Sequence, residues 1–584
     1  MRTSIFLVST TLFSLGVACS SDDDGGGPPP ATGGTDAGTG GASGDGGAGA
    51  TGGSSASGGS GGSGNPGGGA GQAGDGGAAG DAGAGGAAGG AGTAGVSGDA
   101  GAAGAAGAGG LGGAAGGGSD PEPDPSALEP CDDAVFPDPV TTLPVAPTRL
   151  VAASVAPSDV TSDGHVVYRQ GNTLMAVRAE AGATPVEVLS GSGTVAVKGP
   201  VVFYWTSPDY EAGTGQLSIW TGSSCSRTVG TTLLAEDLVV VSPDGSRLLY
   251  PINVTDQSFD LVVANRDFTG RHVLVRGIGR ASEETCRPLY GFAGAQVVVG
   301  HCAPGTREAS LEVFSRSGDD YAGQLLSASA QPLWSADATG TGIAYLGSDY
   351  DVYYFDGTDH ILVDHSANWV QLGEDGSTLF YAVGDQLRRT NLADLLVIPV
   401  VTRQARVINE WSPTFDHVLY SSTVIYEGGE RRDLFLTPTA TFNPTPTQLS
   451  DVSARLSRHA FTDAGNHVAY LTEVSETTGA GTLHVVPVAG GDERVFDAVD
   501  TVAAAFDDIL VFSDNRSDPE IFPVVADLKL LDASSAEEPQ TIQASIRDGR
   551  SFRVLPGGGA VVYARPGDVD AEGIWLHPLV TGAP

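Results

Sequence analysis

One short apolar run recurs ten times in the chain and constrains its fold more than any other feature. It reads "HVVY" to Tyr168, "VVFY" to Tyr204, "RLLY" to Tyr250, "QVVV" to Val299 and "GIAY" to Tyr345. It continues as "TLFY" to Tyr381, "HVLY" to Tyr420, "HVAY" to Tyr470, "ILVF" to Phe512 and "AVVY" to Tyr563. Nine intervals separate Tyr168 from Tyr563, about 44 residues each. Each run is too short for a helix and is bounded by Gly, Asp, Asn or Pro, so it is a buried strand. No long amphipathic helical pattern occurs after residue 147. A fixed period of this length means one supersecondary unit repeated, with each copy burying its apolar face against the next.

The texture between the copies fills out the unit. Before Tyr250 the chain reads "SPDGSRLLY", where Asp244-Gly245 is a tight turn that uses the freedom of glycine at positive φ. Weaker copies are "TSDGHVVY", "GEDGSTLFY", "TDAGNHVAY" and "WSPTFDHVLY". A second strand follows most copies, as in "DLVVA", "SLEVF", "DVYYF" and "DLKLL", and then a more polar third, as in "GRHVLV" and "HILVD". Apolar inner strands with a polar outer one are the pattern of a propeller blade. The expected fold is therefore all-β, a β-propeller of four-stranded antiparallel blades with about ten repeat units. One large ring, two smaller rings, or a ring of seven or eight blades with degenerate extra units all satisfy the spacing. A stack that never closes is disfavoured by its open edges. The last unit ends one strand short after "GIWLHPL", and a strand near "TTLPVAPTRLVAAS" would complete it.

"SPDGSRLLY" resembles the signature of TolB-type, WD40-like propeller repeats, with one good copy and four partial ones across residues 147–584. That resemblance implies a propeller that engages other envelope proteins through loops at the ends of its ring. The separate α/β domain that precedes the TolB propeller has no counterpart here, so a Tol–Pal role is not carried over.

The N-terminal part is of another kind. Arg2 precedes the apolar run "SIFLVSTTLFSLGVA", which has signal-peptide length and is too short for a good membrane span. It ends in "LGVAC" at Cys19, which resembles a bacterial lipobox, with Gly16 where leucine is usual. Residues 1–18 are thus expected to be a signal peptide and Cys19 the lipidation site. Ser20 after the cysteine, by the same resemblance, favours the outer membrane. Glycine then recurs every third residue from Gly68 through Gly116. A collagen triple helix needs that frame, but it also needs imino acids, and this stretch holds no proline. A disordered Gly/Ala tether over residues 19–130, turning Pro- and acid-rich toward its end, is the expectation. As a random coil, about 100 such residues span roughly 50–60 Å. The propeller domain is placed at 131–584.

Net charge is −40 and Lys198 and Lys529 are the only lysines, which disfavours nucleic acid and anionic lipid as partners. Contact with a membrane is expected through the N-terminal lipid only. Besides Cys19 the cysteines are Cys131, Cys225, Cys286 and Cys302, an even set for an exported chain. Cys286 and Cys302 flank one predicted hairpin and are paired on that ground, leaving Cys131 for Cys225, though the count allows other pairings. No CxxC spacing supports a metal site.

No motif selects a reaction. "GGSGG" at Gly58–Gly62 satisfies the hydrolase-elbow pattern but lies in the glycine tract with no flanking strand or helix. His360 and His365 are five apart on one predicted strand and point to opposite faces. His301 adjoins Cys302, which a disulfide explains better than a nucleophile pair. "GDVDAEG" at Gly567–Gly573 is short of ligands for a calcium loop. Trp205, Trp220, Trp334, Trp369, Trp411 and Trp575 are assigned to core packing before a sugar-binding face. No catalytic residue, cofactor or metal is expected. The expected function is a monomeric, lipid-anchored, non-enzymatic module binding an envelope or extracellular protein; the alternative is a carbohydrate-binding or carbohydrate-active propeller using its central funnel.

Overall fold

The computed structural model describes residues 128–579, apart from 132–134, 223–224, 282–285, 307–308, 319, 402–406, 427–428, 451–453, 476, 518–522 and 568–570. The signal-like run, Cys19 and the glycine frame lie outside the described residues. Among the described residues the chain is strand and turn, with one short 3-10 turn at Glu236–Leu238 and no α-helix. No helix there is long and apolar enough to cross a membrane.

Among the described residues the strands form eight four-stranded antiparallel sheets and one seven-stranded sheet. The larger sheet is two units sharing one strand, Asp320–Ala336. Its first half pairs with Ala309–Ser317 and its second half with Ile343–Gly347. Counted this way there are ten blades, matching the ten repeats. By residue they are blade one 157–190, two 193–233, three 240–279, four 289–330, five 330–364, six 367–401, seven 407–448, eight 454–499, nine 501–547 and ten 553–578. The outer strand of blade ten is supplied by Thr148–Val151, which pairs antiparallel with Gly573–Pro578. That strand closes the ring and removes an open edge.

The core consists of ten buried clusters among the described residues, each centred on two consecutive blades, including ten against one, with Leu233 of blade two joining the cluster of blades three and four. Leu150, Val166, Tyr168, Val562 and Leu576 form the cluster between blades ten and one. This unbroken succession is what a single ring of ten requires; closure into two smaller rings would join blades that are not consecutive. Every repeat-ending residue, from Tyr168 to Tyr563, packs against the preceding blade. The residue just before it packs against the following one, because successive strand side chains point to opposite faces.

Two disulfides tie the chain outside the ladders. Cys286 bonds Cys302 across the first hairpin of blade four, and Cys131 bonds Cys225 at the turn before the outer strand of blade two.

Candidate functional site

Antiparallel blades sort their connections onto two faces. Turns between first and second and between third and fourth strands lie on one face. Turns between second and third strands, and the links from blade to blade, lie on the other.

The first face is locked by its own turns. Ser242 Oγ donates to Asp244 Oδ1 at 2.6 Å, Ser246 Oγ donates to the same carboxylate at 2.7 Å, and Gly245 takes φ +71°. Burial alone would raise the Asp244 pKa, but these hydrogen bonds outweigh it and hold the carboxyl below its usual value. In blade one Asp163 accepts from Thr161 Oγ1 at 2.5 Å and sits 2.9 Å from His165 Nδ1 and 3.0 Å from Arg266 of blade three. In blade eight the turn carboxylate is borrowed: Asp508 of blade nine accepts from Thr462 at 2.8 Å and Asn466 at 2.9 Å, and lies 3.1 Å from His467. These hydroxyl–carboxylate–imidazole groups are not nucleophile triads, because the hydroxyl and the imidazole both turn to the carboxylate rather than to each other. In blade seven Phe415 stands where blade three has Gly245, at φ +56°. Its ring stacks on Trp411 at 5.6 Å and on Phe380 at 6.4 Å, which offsets the backbone cost.

The same face carries the described part of the lead-in segment, residues 128–131 and 135–147, as a strap. Arg227 donates to the carbonyls of Glu129 and Pro130, and the Cys131 N–H donates to the Asp267 carbonyl. Arg266 lies over the Phe136 ring at 4.4 Å, and Arg178 donates to the Asp138 carbonyl at 2.7 Å. Farther along, a Cβ on Gly164 would meet Val140 at 2.7 Å, and one on Gly559 would meet Leu143 at 2.9 Å. Glycine at these two turns makes room for the strap. It therefore starts on blades two and three and runs back over blades one and ten before entering the closing strand. This path was not foreseen from the sequence; the half-buried apolar residues Phe136, Val140 and Leu143 within a proline- and acid-rich stretch were the available signal.

The opposite face is free of the strap and holds two hollows. One, of about 270 Å³, has an apolar floor of Leu233, Leu234 and Phe259, with Asp237, Arg280 and Arg287 at its rim. Arg287 pairs with Asp237, and Arg280 bridges the Ala212 and Thr255 carbonyls of two blades at 3.1 Å each. The other, of about 410 Å³, is polar and lies between blades one and two, lined by Asn172, Ser190, Thr206, Gln216, Ser218 and Thr228. At blades eight and nine the face is knitted by charge. The fully buried Asp500 carboxylate lies 3.0 Å from Arg550 and 3.6 Å from Arg516, and both arginines donate to the Thr478 carbonyl. A carboxylate held between two guanidiniums is a staple rather than a base.

The residues singled out in sequence do not converge. His301 lies 3.1 Å from Glu312, and its neighbour Cys302 is disulfide-bonded. His360 contacts the Tyr345 hydroxyl at 2.8 Å; His365, just past the strand, lies 2.8 Å from Asp351. Trp205 and Trp220 are buried. Trp334, Trp369 and Trp411 lie on the innermost strands of blades five, six and seven, and the last two stack on each other at 6.1 Å. Trp575 donates to the Ala571 carbonyl at 2.8 Å. Part of "GDVDAEG" lies outside the described residues. Among the described residues no group of three His, Cys, Asp or Glu is placed to hold a metal ion.

The fold and its two faces define the class: a β-propeller of four-stranded antiparallel blades. No protein-family model and no curated protein sequence matches the chain. Solved structures similar to it include a eukaryotic initiation factor, at 13% identity and a TM-score of 0.42, with 60% of this chain and 90% of that one covered. The dipeptidyl peptidase 4 of Porphyromonas gingivalis is similar at 11% identity and a TM-score of 0.39, with 64% and 66% covered. TolB from Acinetobacter baumannii is similar at 12% identity and a TM-score of 0.24, with 41% and 64% covered.

Proposed function

We propose that this chain is a lipid-anchored cell-envelope propeller that binds another protein through the face not crossed by the strap. The observation that carries the reading is the division of labour between the faces. One is crossed at blades ten, one, two and three by the chain's own lead-in; the other presents the blade-to-blade links and an apolar hollow rimmed by Asp237, Arg280 and Arg287. Propellers bind through the loops at the ends of the ring, and here one end is partly covered. The anchor in this reading is Cys19 at the outer membrane, the glycine segment is the spacer, and the module works as a monomer without catalysis.

The test incubates the purified protein with sacculi, surface polysaccharide and solubilised membrane proteins, and follows retention and sugar release together. Capture of a discrete protein that Arg287→Glu abolishes, and that Asp138→Ala on the strapped face leaves intact, supports the proposal. Fatty-acid labelling lost in Cys19→Ala supports the anchor. The second reading, a carbohydrate-binding or carbohydrate-active propeller, draws on Trp334, Trp369 and Trp411 on three consecutive inner strands. Retention on polysaccharide, lost on replacing Trp369, would decide for it.

A further inference from the structure

We propose that the Cys131–Cys225 disulfide is a mechanical stop, which diverts tension on the chain N-terminal of Cys131 into blade two and keeps it off the strand that closes the ring. The proposal concerns any load on that side of Cys131 and does not rest on how the chain is anchored.

The closing strand is the weak point of this ring. It is four residues long, Thr148–Val151, and its ladder already carries an irregularity between Arg149 and Val151. Its register sets the direction of failure. Thr148 pairs with Leu576, and Val151 with Ile574. The end of the strand toward the N-terminus therefore lies beside the end of Gly573–Pro578 from which the C-terminus leaves. A pull on the two chain ends would separate this pair from that shared end, one residue pair at a time. Sequential opening of single pairs needs much less force than shearing a ladder whose bonds share the load.

The strap alone would not prevent this. Its holds on the ring are single contacts in series: the Arg227 hydrogen bonds to Glu129 and Pro130, the Phe136–Arg266 contact, the Arg178–Asp138 hydrogen bond, then Val140 and Leu143 in their glycine turns. Each would yield in turn, and the last would hand the load to Thr148. The disulfide sits at the far end of this series, before all but the first contacts. It fixes Cys131 to Cys225, at the turn between the third and outer strands of blade two, across a sequence separation of 94. Strap, closing strand and blade one all lie inside the loop it closes, so covalent load bypasses them.

Force spectroscopy on the full chain tests this, with one handle on a tag inserted after Ser119 and the other after Pro584. The parent is expected to show no small release before its first large rupture. The C131A/C225A chain should show one at several-fold lower force. It should free about 20 residues, roughly 70 Å at ~3.3–3.6 Å per residue. The C286A/C302A chain should behave like the parent. Because C131A/C225A can fail to fold, folded C286A/C302A is also pulled before and after addition of a reductant, when only the Cys131–Cys225 bond remains to be cut. An early release in the oxidised parent, or none after the bond is removed, overturns the proposal.

Discussion

Val167 and Tyr168 are neighbours in the chain and lie in different cores. Tyr168 packs with Leu150, Val562 and Leu576 of blade ten, whereas Val167 packs with Val202, Tyr204 and Trp220 of blade two. The same division holds in every blade, so each interface combines a repeat-ending residue with the penultimate residue of the preceding copy. An apolar strand buried on both faces is the condition for this arrangement.

Phe512 is the repeat-ending residue of blade nine and is 1% exposed. Phe512→Ala should therefore destabilise the protein by about 3–5 kcal/mol. Phe442, 69% exposed, should lose less than about 0.5 kcal/mol on the same change. Urea midpoints of the two variants check the contrast.

Asp163 is nearly fully buried between His165 and Arg266. Burial pushes its pKa up, but the hydrogen bonds from His165 and Thr161 and the charges of His165 and Arg266 prevail, so it titrates below the usual value. A depressed carboxyl contributes stability that is complete above its unfolded value near ~3.9 and is lost as pH falls through the folded one. Asp163→Asn should cost about 3–5 kcal/mol at neutral pH, because Arg266 loses its buried partner. It should also flatten the acid limb, read from unfolding midpoints at about pH 3 and 7.

Tyr345, Tyr420 and Tyr563 are raised to about 12, each chiefly by burial. Their folded values exceed the unfolded value of ~10, so stability is complete below that pH and declines as pH rises from it toward the folded values. Ultraviolet titration of the folded protein should show a delayed step near 12 from these three tyrosines. In denaturant that step should move down to about 10.

Gly245 has φ +71°, and a Cβ there would sit 2.8 Å from Pro200 Cγ. Gly245→Ala should cost about 1–2 kcal/mol from backbone strain alone, with the contact adding to it. Gly384 has φ +59° but open space around it, so Gly384→Ala should cost less. Thermal unfolding of both variants separates strain from crowding.

Much of the fold is legible in the chain because its determinants are local. The period of the apolar runs is set within each unit, and Asp244 closes its own turn through serines two residues away on either side. The missing last strand is likewise visible as an unmatched edge. The number of rings is not local. It depends on which blade each face meets, and identical texture serves two rings or one. Nor does the sequence show that Asp320–Ala336 serves two blades, since nothing marks where one partner gives way to the next.

The candidate site divides in the same way. The sequence by itself set the spacing of His360 and His365 and put the tryptophans on or beside predicted strands, but not what each of them touches. Only the tertiary structure decided that the lead-in crosses one face, that Asp508 completes the turn of another blade, and that Asp163 meets Arg266. Each of these joins residues far apart in the chain, and each depends on the angle at which neighbouring blades pack. That angle is set by the whole ring at once, which is why local sequence specifies the blade and only the closed ring specifies which distant residues meet.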